Sequence, residues 1–312
     1  MVKLDIIKKS KIYLGISFIA VIIALVMLMS KGLNYGIDFT GGNLFQLKFE
    51  KTHTLKDINM YLDKVAEKNP QLASKSRKVQ LSEDNTIIIR TPEMSEGQKT
   101  EFLDEMSKMG KFSTEKTEKV GSSIGKDLKK SAIYSLIIGG ILIALYITIR
   151  FEWKFALGAI ITLAHDVIIT LGIISFLGYE INSDFIAAVL TILGYSINDT
   201  IIIYDRIREK LKSKARLEKS FGEILNISIN DVLVRSVNTS LTTLLAAIAI
   251  FIFGGDSLKT FIVTLILGVS VGSYSSIFLA TPLVYLMDKD RDGRGSVEFK
   301  EEDEDYKEKI IV

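Results

Sequence analysis

The sequence predicts an α-helical polytopic membrane protein with six transmembrane helices and one ferredoxin-like α+β extracytoplasmic domain. Three observations predict it. Six runs carry almost no charge, and each is near the ~20 residues needed to cross a bilayer. One polar segment, 31–127, alternates strand and helix patterns in the order β-α-β-β-α-β. An acid, Asp199, lies well inside one of the apolar runs. A hydrophobic share of 48% and a mean hydropathy of +0.29 fall outside ordinary soluble composition. The absence of cysteine excludes disulfides and thiolate chemistry. Two histidines and no nucleophile–base pair or metal cluster outside the membrane give no reason to expect an enzyme, a cofactor or a metal. The net charge of +2 implies no nucleic-acid partner, because the basic residues gather beside the spans.

Residues 1–30 hold a lysine-rich start and a first span over 12–30. That run is longer than a signal-peptide core, and Met29-Ser30-Lys31 is not a small-x-small cleavage site, so it reads as an uncleaved span. Within 31–127, Phe45, Leu47 and Phe49 alternate as a strand, and Leu55, Ile58, Leu62 and Val65 recur at helical spacing. Strands over 78–82 and 86–91 flank the turn Glu83-Asp84-Asn85. Ser95-Glu96-Gly97-Gln98 has the form of a capping box opening a helix with Phe102, Leu103 and Met106 inside. A polar alternating strand over 111–120 closes the domain. Before it, Gly36, Asp38, Gly41 and Gly42 form a structural motif, a connector that seats the domain on the first span. A phosphate-cradling loop would need a helix to follow, and here a strand follows.

Residues 128–287 form the remaining bundle. The second span, 131–149, ends at Arg150. The third, 155–179, carries His165-Asp166, with Thr162, Asp166 and Thr170 on one face; polar groups of this kind also serve as glue between membrane helices. The fourth, 185–204, contains Asp199, and an ionisable residue inside a span costs about 3 kcal/mol or more to insert. Thr191, Tyr195 and Asp199 share a face, with Ser196 beside them. A basic loop over 205–234 carries the strongest positive-inside signal, so both termini are expected in the cytoplasm and 31–127 outside. The same charges attract anionic membrane lipids. Arg235 opens the fifth span, 236–255, with Asn238, Thr239 and Thr242 on its side, and antiparallel packing brings Arg235 near the depth of Asp199. The sixth, 260–287, has a small-residue seam of Gly268, Gly272, Ser276 and Ala280 suited to close helix packing. A charged tail, 288–312, begins like an EF-hand loop at Asp288, but its twelfth position is Phe299 instead of a bidentate Glu.

Taken together, several stretches resemble the SecD/SecF family, on the side of its smaller, SecF half. They are Gly36-Ile37-Asp38-Phe39-Thr40-Gly41-Gly42, Ala164-His165-Asp166-Val167, Gly194-Tyr195-Ser196-Ile197-Asn198-Asp199-Thr200, Asp205-Arg206-Ile207-Arg208-Glu209, Arg235-Ser236 with Asn238-Thr239-Ser240, and Phe253-Gly254-Gly255. The resemblance covers about residues 10–287. It implies an RND-related fold and a bacterial plasma-membrane subunit that pairs with SecD and joins SecYEG and YidC. Such a subunit uses a proton or sodium gradient to draw unfolded exported polypeptide outward. It further implies that Asp199 carries the ion and Arg235 is its charge partner, within an ion-coupling set that includes Asn198, Thr200, Asp166 and His165. The family's second intramembrane Asp comes from SecD. Two other readings compete: an RND-type exporter of small molecules or lipids, and a passive scaffold of the translocon.

Overall fold

In the computed structural model, residues 4–67, 72–82, 85–213, 219–255 and 258–289 are described. Among these residues, six helices are long and apolar enough to cross a membrane. They are α1 (Ser10–Lys31), α5 (Ser122–Arg150), α6 (Trp153–Leu177), α7 (Ser183–Lys212), α8 (Phe221–Phe253) and the composite Lys259–Met287. The last is built from α9 (Lys259–Ser275), a π-helical turn (Ser276–Ala280) and α10 (Thr281–Met287). The helices α6 and α7 and the last span form the buried centre, whereas α1, α5 and α8 keep most of their apolar surface turned outward, as a lipid solvent permits.

The domain between α1 and α5 has the expected order. Its elements are β2 (Gly42–Phe49), α3 (Leu55–Ala66), β3 (Lys78–Leu81), β4 (Thr86–Thr91), α4 (Glu96–Met109) and β5 (Phe112–Val120). The antiparallel sheet is ordered β3-β4-β2-β5, which is the ferredoxin-like arrangement. Alternation in β2 and β4 turns Phe45, Leu47, Phe49, Ile87 and Ile89 onto Ile58 and Leu62 of α3 and Phe102 and Met106 of α4. Ser95 and Gln98 close the predicted capping box on α4, and Thr54 with Asp57 makes a second one on α3. The Thr54 hydroxyl bonded to the Asp57 carboxylate holds that carboxyl below its ordinary pKa. Of the predicted turn Glu83-Asp84-Asn85, the first two residues lie outside the described ones.

Two boundaries differ from expectation. The stretch 205–234, expected as a basic loop, is helical over most of its length. The reason is amphipathic spacing beneath the charges. Ile207 and Leu211 of α7 and Phe221, Ile224, Leu225 and Ile229 of α8 share one buried cluster with Tyr204 and Val284. A Ser220–Glu223 capping box starts α8 well before Arg235. The basic charges are partly matched, with Arg206 bonded to Asp231 and Glu209, and Lys210 3.2 Å from Asp231. Similarly, α5 begins at Ser122, so the connection out of the domain is a single glycine, Gly121.

The domain is seated by the connector. A two-residue strand β1 (Asn34–Tyr35) pairs in parallel with β6 (Glu180–Ile181) in the α6–α7 turn. The short helix α2 (Ile37–Thr40) follows, and Asp38 accepts a hydrogen bond from Ser183 N at the start of α7, 2.9 Å away. Gly41 and Gly42 then have φ of +71° and +123°. A Cβ on Gly42 would lie 2.2 Å from Thr91 O, and one on Gly41 2.7 Å from Ser122 Cα, so both positions exclude a side chain. Lys78 Nζ donates to Asn34 Oδ1 at 2.8 Å, and Arg90 forms an ion pair with Glu180.

Burial raises the Glu180 pKa above the ordinary carboxylate value, and the Arg90 charge opposes that rise. Arg90→Ala removes the opposing charge, so Glu180 in the docked domain takes up a proton more readily than in an undocked one. Docking in this variant is then strongest in acid and is lost as pH rises through the raised value. Limited proteolysis of the connector across pH checks this. The variant should open by about tenfold or more relative to the parent at neutral pH, following the loss of a buried partner.

Candidate functional site

The centre of the bundle holds two buried carboxyls with opposite surroundings. Asp166, mid-way along α6, is 0% exposed. His165 Nδ1 lies 2.9 Å from its Oδ1, Ser196 Oγ of α7 donates to its Oδ2 at 2.6 Å, and Ser275 Oγ of α9 donates to the same oxygen at 2.8 Å. Three contacts from three helices satisfy this carboxyl. Thr162, on the same face, turns its hydroxyl back to Gly158 O, and Thr170 Oγ1 has no partner among the described residues.

Asp199 is 2% exposed, yet its single side-chain contact among the described residues is long: Ser240 Oγ of α8 donates to Oδ2 at 3.4 Å. Its Oδ1 has no partner among them. On the same face of α7, Tyr195 accepts a hydrogen bond from Thr243 Oγ1 of α8 at 3.2 Å, while Thr191 is exposed. One step around the helix, Ser196 and Thr200 face the last span. Thr200 Oγ1 reaches Ser276 Oγ at 3.0 Å, and Ser276 Oγ donates to Ser196 O at 3.2 Å.

The residues that the resemblance marks for ion coupling thus divide. Asp199, Thr200, Asp166 and His165 lie inside the bundle. Arg235 and Asn198 are exposed on its surface, and no ion pair within 4.0 Å joins Arg235 to Asp199 among the described residues. Asn238, Thr239 and Thr242 are exposed with Arg235. The inward face of α8 is instead Ser236, Ser240 and Thr243. Sequence reasoning had Ser240 only as part of the Asn238-Thr239-Ser240 stretch, with no role at Asp199, and did not single out Ser273 or Ser275. Their signal was the spacing of Ser236, Ser240 and Thr243 along α8 and the run Ser273-Tyr274-Ser275-Ser276 beside the glycine seam.

That seam brings α9 onto α7. A Cβ on Gly268 would lie 2.1 Å from Ile192 Cδ1, and one on Gly272 3.0 Å from Ser196 Cβ. Gly268→Ala therefore displaces the whole Ile192 side chain, and we expect a loss of about 1–3 kcal/mol of stability. Ile192→Ala relieves that clash, so it should cost less stability in the Gly268→Ala background than in the parent. Thermal unfolding in detergent compares the four proteins, and strictly additive losses would sink the packing account.

No group of three or more His, Asp or Glu able to hold a metal occurs among the described residues. Asp288, which opened the EF-hand-like stretch, forms a buried ion pair with Lys154, and the rest of the tail from residue 290 lies outside the described residues.

Comparison with known proteins adds to this geometry. Residues 99–290 match the family described as protein export membrane protein SecD/SecF, C-terminal, and residues 26–52 match the SecD/SecF GG motif. The protein translocase subunit SecF of Sebaldella termitidis is 47% identical over 285 residues, covering 91% of this chain and 92% of that protein. The subunit of the same name from Calditerrivibrio nitroreducens is 39% identical over 286 residues, covering 91% and 94%. The crystal structure of SecDF from Thermus thermophilus, titled a translocon-associated membrane protein, superposes with a TM-score of 0.84 at 32% identity. That match covers 92% of this chain and 39% of the solved one, so this chain spans about two fifths of that protein's length.

Proposed function

This chain belongs to the SecD/SecF family of protein-export membrane proteins, and from that premise we propose that it couples an ion gradient to late steps of protein translocation through Asp199. A multi-pass membrane subunit of Sec protein export is what family membership provides. The coupling reading rests on one observation: Asp199 is buried, with one long hydroxyl donor and an oxygen lacking any partner among the described residues. An acid retained only to glue helices would be satisfied as Asp166 is, since an unpaired buried polar group is costly. An acid that gains and releases an ion needs an oxygen not already committed to a donor, and Asp199 Oδ1 has no donor among the described residues.

In this reading Asp166 and His165 brace the site, and Thr200 ties its helix to the last span. The exposed stripe of Arg235, Asn238, Thr239 and Thr242, with Asn198 nearby in sequence to Asp199, supports a partner. Turning an arginine and three polar side chains to lipid costs several kcal/mol, so a helical partner of complementary polarity covers them. SecD is that partner, with an acid facing Arg235. SecYEG, YidC, the unfolded exported polypeptide and membrane lipids complete the surroundings. The α/β domain stands on the extracytoplasmic side and both chain termini on the cytoplasmic side of the bacterial plasma membrane. One charge crossing 100 mV releases about 2.3 kcal/mol. That biases a two-state domain movement by a factor of about fifty, and falls far short of unfolding a substrate. The test is export into vesicles carrying SecD and this chain, with and without an imposed proton or sodium gradient, for the parent and Asp199→Asn.

A further inference from the structure

We propose that Ser240 and Ser273 are positioning residues for the Asp199 carboxylate and that the last span sets them in place. The inference rests on the reading of Asp199 as the ion-carrying acid. Three serines within four residues of the last span face three different partners. Ser273 Oγ donates to Ser240 Oγ at 2.6 Å, and Ser240 Oγ in turn donates to Asp199 Oδ2 at 3.4 Å. Ser275 Oγ donates to Asp166 Oδ2 at 2.8 Å, and Ser276 Oγ donates to Ser196 O at 3.2 Å. A regular α-helix spreads consecutive positions 100° apart. Here the turn that follows is π-helical, over Ser276–Ala280, and such turns widen a helix and re-aim its side chains, often at functional sites.

The two arms of this cluster differ in stiffness. The Asp166 arm is short and shared by three helices, so it fixes the register of the last span against α6 and α7. The Asp199 arm ends in a long contact, and its length depends on that register. The Ser273 hydroxyl has a second acceptor at the same 2.6 Å, Val269 O. It donates its one hydrogen to either. When it turns to Val269 O, Ser240 Oγ loses a donor and its hold on Asp199 loosens. The last span therefore acts on Asp199 through a hydroxyl relay, with Asp166 as the fixed point.

The experiment is export by vesicles carrying SecD and this chain, measured against the size of an imposed ion gradient. The variants are Ser273→Ala, Ser240→Ala, Ser273→Thr and Asp199→Asn, each checked for assembly. We expect both alanine variants to lower the gradient-dependent component about three- to tenfold, the range for one ordinary hydrogen bond. The gradient-independent component should stay at the parent level, and Ser273→Thr should recover the lost component because its hydroxyl remains. A merely structural role would lower both components and would not be rescued by threonine, and that result overturns the proposal. Parent-like alanine variants alongside a gradient-blind Asp199→Asn also overturn it, leaving the ion reading standing. A gradient-responsive Asp199→Asn sinks the ion reading and the positioning proposal together.

Discussion

Asp199→Asn is expected to give an assembled subunit that no longer responds to the gradient. The amide is nearly the same shape and keeps an oxygen that can accept from Ser240, so the packing around α7 and α8 is retained. It cannot bind or release a proton and has no charge to hold a sodium ion. The gradient-dependent part of export should fall to background, a loss of tenfold or more, about 1.4 kcal/mol or greater. Export without a gradient and co-purification with SecD should be unchanged. A gradient response equal to that of the parent would mean that Asp199 is a packing or docking residue. The scaffold reading would then be the better one.

Asp166→Ala is expected to fail in the opposite way, by loss of stability. At this carboxyl α6, α7 and the last span meet through short hydrogen bonds. Truncation takes the Asp166 acceptor from the Ser196 hydroxyl and the His165 ring and leaves Ser275 only its longer contact to Gly272 O, all in a buried interior. Breaking such a buried arrangement by removing one member costs about 3–5 kcal/mol. Unfolding in detergent should shift down by several degrees, about 2–4 °C per kcal/mol for a chain of this size or somewhat less. Asp166→Asn keeps an acceptor for the serines and should recover much of the loss. An Asp166→Ala variant that unfolds like the parent but loses the gradient response would reverse the assignment, making Asp166 a second ion carrier instead of a lock.

The family and the six spans could be read from the sequence because membrane helices are self-sufficient. Each must satisfy its backbone internally and present about 20 apolar residues, and both demands are local. The α/β domain was legible for a similar reason: period-two alternation in β2 and β4 and period-3.6 spacing in α3 declare their buried faces. The stretch 205–234 was not, because charge outweighs amphipathicity in a reading by composition. Ile207, Leu211, Ile224 and Ile229 become a helical face only when Tyr204 and Val284 stand opposite them. The acids Asp166 and Asp199 also stood out, since charge inside a span is rare and costly. Which of them is satisfied did not.

The sequence by itself determined the class of the protein, the count of spans, the domain topology and the two intramembrane acids. Each single span, strand, domain helix and acid behind them is read in a window shorter than thirty residues, where polarity and periodicity act alone. Only the tertiary structure decided what those acids touch. Ser196, Ser240, Ser273 and Ser275 lie on three different helices, and a serine in a membrane helix is too cheap to be conspicuous until a carboxylate comes within hydrogen-bonding reach. The rotation of α8 that turns Ser240 inward and Arg235 outward is a property of the bundle, set by packing against α7 and the last span, and no span encodes it on its own.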